Sequence, residues 1–306
     1  MPVSLTVLVP DDLGVRVLSD VEGVRPVRYE PGQPLPAEAA HAEVLVPKFL
    51  QGSDPREVFD RLPSLKLVQL LSAGAERFIG VIPDGVMLST CRGAHGGSTA
   101  EWAIGALLAL YRDFPVFERA RQERRWDYHL TDTLQGKQVL VVGAGDLGEQ
   151  FRRRLEPFDA TATMVGRTAR DGVHGVAELP DLLGGFDAVL VVVPLTAETT
   201  GMVDAEFLSR MKDGAILVNG ARGAVVDTDA LLAELSSGRL RAALDVTEPE
   251  PLPPDHPLWT APGLFLTPHV AGSCTGHAER AYAVVAAEVG RFARGERPRN
   301  LVQGDY

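Results

Sequence analysis

The sequence predicts an α/β fold of the doubly wound kind, in which parallel sheets are covered by helices on both faces. Three observations carry this expectation. Nine short runs rich in β-branched and apolar residues recur, at 5–9, 43–46, 67–70, 139–142, 161–165, 188–193, 215–218, 242–245 and 265–267. Several are apolar at nearly every position, as a strand buried on both faces requires, rather than at alternate ones. Helical patterns lie between many of them, which is the order of a parallel sheet with crossover helices.

The first runs, 5–9, 43–46 and 67–70, belong to an amino-terminal unit. Helix starts are legible at Asp54 before Pro55, and at Ser98, Thr99, Ala100 and Glu101, a capping box ahead of the apolar segment 102–111. Two stretches rich in small residues, 91–98 (CRGAHGGS) and 270–276 (VAGSCTG), each precede a helix and read as crossovers between domains. The resulting scheme is an outer domain of residues 1–97 plus 272–306, with a domain of residues 98–271 inserted into it and a cleft between them. Two consecutive domains with a terminal helix on the second is the alternative that spacing alone allows.

Composition narrows the class. A chain of 306 residues is long for one core and suits two. Thirty Lys and Arg against 41 Asp and Glu give a net charge of −11, which opposes polyanions and acidic membranes, so neither nucleic acid nor membrane is an expected partner. The start lacks a basic leader and no run of about 18 apolar residues occurs, so a cytoplasmic protein is expected. Cys91 and Cys274 are too few for a disulfide framework, and they are expected as reduced, buried or inert thiols; no metal site is expected.

The run 139–142 leads into Gly143, Ala144, Gly145, Asp146, Leu147 and Gly148 and then a helical pattern at 149–158. This is G-x-G-x-x-G between a strand and a helix. The first glycine permits the tight turn, the second a close approach to a pyrophosphate, and the third close helix packing, while the helix start offers free N–H groups. A dinucleotide is therefore the expected cofactor. The next strand, 161–165, should end in a carboxylate if the ribose 2′-hydroxyl is to be read; it runs instead into Gly166, Arg167, Thr168, Ala169 and Arg170. Two guanidiniums and a hydroxyl suit a 2′-phosphate, which favours NADP(H) and leaves NAD(H) as the alternative, with a solvated basic turn as the non-functional explanation.

Later strands end in a second group of polar residues. The run 215–218 ends in Asn219, Gly220, Ala221, Arg222 and Gly223; 242–245 ends in Asp245 and continues to Glu250; 265–267 is followed by Pro268, His269 and Val270. Open α/β sheets bind ligands at these carboxyl ends. Reduction of a 2-oxo acid needs a proton donor for the developing alkoxide, a cation for the carboxylate, and a group that keeps the donor charged. His269, Arg222 and Glu250 supply those roles in that order, the carboxylate favouring the charged imidazole and orienting its ring.

With Ser72, Ala73, Gly74 and Ala75, with Leu134, Gln135, Gly136 and Lys137, with Val193, Pro194, Leu195 and Thr196, and with Thr199, Thr200 and Gly201, these motifs resemble the D-isomer-specific 2-hydroxyacid dehydrogenase family over about 65–272. The resemblance implies two Rossmann-like domains, the outer one flavodoxin-like and substrate-binding. It implies Arg222, Glu250 and His269 as catalytic residues, and a substrate carboxylate cradled by the backbone of Ala73, Gly74 and Ala75. It implies that Asp245 contacts the nicotinamide amide, and that Val193, Pro194, Thr199, Ala221 and Gly272 line the cofactor with the glycine turn. A homodimer through the cofactor domains is also implied.

Within the family, the segment 245–254 (DVTEPEPLPP) and Trp126 are most similar to glyoxylate/hydroxypyruvate reductases, in which such a tryptophan reaches the neighbouring subunit's pocket. The first 60 residues match poorly and should carry substrate-contacting loops such as Lys48, Phe49 and Leu50. The leading expectation is NADPH-dependent reduction of glyoxylate or hydroxypyruvate to a D-2-hydroxy acid. A nicotinamide-sensing corepressor-like protein is a second reading, since the family includes one with the same triad. A dehydrogenase for another 2-hydroxy acid such as phosphoglycerate is a third. Arg92 and His95, in the first crossover, either face the cleft or belong to a solvated hinge.

Overall fold

A computed structural model describes residues 4–48 and 54–303. The chain divides into two compact units, Met1–His95 with Thr275–Tyr306, and Gly96–Cys274.

The first unit begins β1 (Leu5–Val9), α1 (Asp12–Ser19), β2 (Val24–Arg28), β3 (Val44–Leu45), α2 (Arg56–Phe59), β4 (Leu67–Gln69) and β5 (Met87–Ser89). Its five strands are all parallel in the order β2-β1-β3-β4-β5. Asp11 caps α1 by accepting from the Gly14 N–H at 2.8 Å. Successive side chains of β1 serve opposite layers: Leu5, Val7 and Val9 join one apolar cluster, and Leu8 joins the other. Both faces are thus covered, which is why the run reads as continuously apolar.

The second unit contains α3 (Gly96–Tyr111), α4 (Phe114–Gln122), β6 (Gln138–Val142), α5 (Asp146–Leu155), β7 (Thr161–Gly166), β8 (Val173–Gly175), α6 (Leu179–Leu182), β9 (Ala188–Val191), α7 (Ala205–Arg210), β10 (Ile216–Asn219), α8 (Thr228–Ser237), β11 (Arg241–Leu244) and β12 (Leu264–Leu266). Seven parallel strands run β12-β11-β10-β9-β6-β7-β8. The order reverses between β6 and β9, the switch point at which such sheets open a crevice. Val139 and Val141 pack with α3 and α5, while Leu140 and Val142 face the opposite layer with Leu231 and Leu235 of α8.

The last helix, α9 (His277–Ala293), returns to the first unit and buries Tyr282, Val285 and Val289 against Val7 and Leu18. A side chain at Gly14 would meet the Tyr282 hydroxyl at 2.7 Å, so α1 and α9 approach closely only because that position is glycine.

Several expectations need correction. Helix α3 begins at Gly96, ahead of the capping box read at Ser98, and α5 begins at Asp146 rather than Glu149. Three strands escaped the pattern, β2, β5 and β8. Cys91 is buried, its Sγ 3.2 Å from the Ala281 carbonyl, and burial beside Glu288 pushes its thiol up to about 12. Cys274 is exposed, so of the two thiols expected to be buried or inert only Cys91 is buried. His95 is half-buried, with Nε2 3.0 Å from the Leu71 carbonyl, rather than solvated. Phe49 and Leu50, expected near substrate, lie outside the described residues. Among the described residues no helix is long and apolar enough to cross a membrane.

Candidate active site

Two constellations form at the carboxyl ends of the seven-stranded sheet. The first is the glycine turn. Gly143 has φ +124°, a conformation that side chains rarely adopt, and a Cβ there would sit 2.6 Å from the Val192 carbonyl oxygen. A Cβ at Gly148 would collide with the Gly143 carbonyl, so the third glycine is what lets α5 start directly under the turn. At Gly145 a Cβ would meet nothing within 4 Å, leaving open space against bare backbone. No side chain caps α5 at Gly145, so its first N–H groups remain available to an anion. These features fit a dinucleotide pyrophosphate.

The surrounding loops follow from strand order. Strands β7 and β9 flank β6, so the turn at Gly166 to Arg170 and the loop from Val193 to Thr200 rise on either side of the glycine turn. Arg167 and Thr168 are exposed. The Arg170 guanidinium donates to the Ala144 carbonyl at 2.9 Å, bracing the glycine turn itself. Arg167 pairs with Glu198 at 3.2 Å. The Val193 loop is locked by hydroxyls: Thr199 Oγ1 accepts from the Thr196 N–H at 2.8 Å and donates to the Pro194 carbonyl at 2.6 Å. Asp146 turns its carboxylate toward the backbone of Gly96 at the start of α3, where a Cβ would collide with it.

The second constellation follows β10, β11 and β12, which are neighbours in register, Asn219 opposite Leu244 and Leu244 opposite Leu266. Arg222, Glu250 and His269 therefore lie three, six and three residues beyond adjacent strand ends. Asn219 shapes the first loop: its Oδ1 accepts from the buried Ala221 N–H at 3.0 Å and its Nδ2 donates to the Arg222 carbonyl at 2.9 Å. Gly223 follows, where a Cβ would collide with the Thr247 carbonyl. The half-buried Arg222 is thereby held against the loop that carries Glu250.

His269 Nδ1 lies 2.6 Å from Glu250 Oε1. The pair leaves the other ring nitrogen, Nε2, on the edge away from the carboxylate. His269 sits at φ +55°, left-handed for a residue with a side chain, which costs about 1–2 kcal/mol. Asp245 is what holds it there. Its carbonyl accepts from the His269 N–H at 2.7 Å, and its buried carboxylate accepts from the N–H groups of Val270 and Ala271, both at 2.9 Å, and from Thr267 Oγ1 at 2.6 Å. Three consecutive backbone N–H groups are thus gripped by one residue. A cavity of about 370 Å³ opens beside the pair, with Thr247, Leu252, Trp259 and Leu266 in its wall.

In the first unit, Ala73, Gly74 and Ala75 form the loop after β4, with Ser72 Oγ donating to the Gly74 carbonyl at 2.7 Å. Trp126 stands 94% exposed beyond α4. Gly272 is half-buried just after the gripped segment. Sequence reasoning missed Asn219, Thr267 and Glu198 as contributors. Thr267 and Glu198 each act on a partner in another loop, a relation that only the strand order could have suggested, while Asn219 braces its own loop two and three residues on.

The family model described as D-isomer specific 2-hydroxyacid dehydrogenase, NAD binding domain, matches residues 104–271. A glyoxylate reductase of Thermofilum pendens is 35% identical over 263 residues, covering 80% of this chain and 77% of that protein. The structure of a D-isomer specific 2-hydroxyacid dehydrogenase from Xanthobacter autotrophicus, in complex with NADPH and MES, superposes with a TM-score of 0.84 at 31% identity over 98% of both chains. An NADPH-dependent glyoxylate/hydroxypyruvate reductase from Sinorhizobium meliloti, in complex with NADP and sulfate, gives 0.81 at 25% identity, again over 98% of both. The glycine turn, the loops beside it and the family match agree, and the chain belongs to the D-isomer-specific 2-hydroxyacid dehydrogenases, a family of NAD(P)-dependent oxidoreductases.

Proposed function

We propose that this protein reduces a small 2-oxo acid, glyoxylate or hydroxypyruvate, to a D-2-hydroxy acid with NADPH. The carrying observation is the His269–Glu250 pair at 2.6 Å, set at the end of β12 two strands from the loop of Arg222. When bound, the nicotinamide supplies the hydride that reaches the carbonyl carbon. His269 gives the proton from Nε2 to the carbonyl oxygen, and Glu250 holds the ring oriented for that transfer. Arg222 pairs its planar fork with the substrate carboxylate and polarises the carbonyl. The backbone of Ala73, Gly74 and Ala75 is the proposed substrate-binding loop of the first unit, and the cofactor belongs to the second.

The preference for NADP(H) is supported by Arg167, Thr168 and Arg170 at the end of β7, where no carboxylate stands to accept a ribose hydroxyl. The NADPH-bound relatives are consistent with it. The assembly we assign is a cytoplasmic homodimer through the cofactor units, with Trp126 completing the neighbour's site.

The test is a panel of 2-oxo acids with NADPH and NADH, followed by loss of nicotinamide absorbance and by the chirality of the product. Turnover of glyoxylate and hydroxypyruvate is expected, and Arg222→Ala should lower kcat/KM by about a thousandfold with cofactor affinity retained. A silent panel from folded protein contradicts the reading. Turnover confined to phosphorylated hydroxy acids replaces the substrate and leaves the chemistry.

A further inference from the structure

We infer that Glu198 is a specificity-determining residue of the cofactor site: an internal anion that competes with the 2′-phosphate of NADP(H) for Arg167. The inference rests on the NADP(H) reading above and deepens it.

Strand order supplies the first step. In β9-β6-β7, the loop after β9 and the turn after β7 stand on opposite sides of the glycine turn that ends β6. An ion pair from Arg167 to Glu198 at 3.2 Å therefore crosses over the carboxyl end of β6, the strand end that receives a dinucleotide. The second step is that Glu198 does not stand on a slack loop. Thr196 and Thr199 cross-link the turn around it, and Thr200 Oγ1 donates to the Thr196 carbonyl at 2.7 Å. The backbone that carries Glu198 is therefore held by its own loop. The third step concerns the other guanidinium: Arg170 already spends one donor on the Ala144 carbonyl, so Arg167 is the cation whose partner can be exchanged.

A 2′-phosphate arriving at Arg167 must displace Glu198, and it then lies beside a carboxylate released from its partner. A 2′-hydroxyl does neither. Both ends of the pair are well exposed, at 65% and 73%, so the effect is modest: an exposed pair contributes about a two- to fivefold change in affinity.

Binding is measured by calorimetric titration of NADPH, NADH and adenosine 2′,5′-bisphosphate into the wild-type protein, Glu198→Gln and Arg167→Ala. Glu198→Gln should tighten NADPH and the bisphosphate by about two- to fivefold and leave the Kd of NADH within twofold. An unchanged NADPH affinity in Glu198→Gln, or an equal gain for NADH, overturns the inference. Arg167→Ala separates the two levels. If it weakens NADPH and the bisphosphate but not NADH, the reading of the site stands whatever Glu198 does. If it weakens neither selectively, the NADP(H) assignment falls and the inference falls with it.

Discussion

The side chain that would move the proton stands in a backbone conformation it would not choose. His269 is left-handed, and Asp245 overrides that preference by binding the three N–H groups that follow from it together with the Thr267 hydroxyl. Asp245 is therefore a positioning residue for His269 whatever contact it makes with a nicotinamide. Asp245→Ala leaves one buried and one half-buried N–H group without acceptors and should cost about 2 kcal/mol, read as a lower midpoint in urea denaturation. A change below about 0.5 kcal/mol would show that the loop is held by something else. At this scale the sequence was half legible. Arg222, Glu250 and His269 could be named because each follows a readable strand end. Asn219 and Thr267 looked like ordinary polar residues, because what distinguishes them is the fold around them: Asn219 braces the backbone of its own loop, and Thr267 reaches Asp245 in the next one.

The elements explain where legibility failed. The central strands announce themselves because both faces are buried. The three that escaped notice, β2, β5 and β8, lie at sheet edges, where a short, partly exposed strand carries no continuous apolar run. Strand β2 also contains Pro26, which an edge position tolerates since its missing N–H withdraws nothing from the single neighbour. The helix starts shifted for a different reason, close packing of bare glycine backbone at Gly96 and Gly148.

The extended segment beyond α4 adds an electrostatic device. His129 stacks on Phe117 at 4.6 Å between ring centroids and meets Asp127 at 3.2 Å and Asp113 at 3.3 Å. Asp127 first, and Asp113 with it, raise its pKa above the usual 6.5. Because the folded value is raised, the stabilisation is complete below about that ordinary value and is lost as pH rises through the folded one. Raising the pH should release this segment from α4, with the emission of Trp126 shifting over the range in which His129 titrates by NMR. Emission that stays flat through that titration would refute the link.

For the molecule as a whole, the described residues build two parallel sheets, each covered by an apolar cluster on both faces, as the recurring strands foretold. The net charge of −11 opposes an anionic substrate and an anionic cofactor alike, so the proposed function leans on local cations, Arg222 and Arg167, set at strand ends. Trp126, Tyr128 and Leu130, at alternate positions of the segment between α4 and β6, are 94%, 82% and 90% exposed, and in the proposed dimer a second copy of the chain covers them. Sedimentation velocity should show a particle of two 32.9 kDa chains, converted to one by combined alanine substitution of the three. A wild-type monomer, or a dimer indifferent to those substitutions, would contradict this assignment.

The account turns on His269 as the proton donor. The most direct measurement is kcat/KM for glyoxylate with NADPH in His269→Gln, taken together with the Kd of NADPH for the same variant. The account predicts a fall of about 10³-fold or more in kcat/KM with the Kd unchanged. A variant that reduces glyoxylate within about tenfold of the wild-type rate would show that the proton comes from elsewhere.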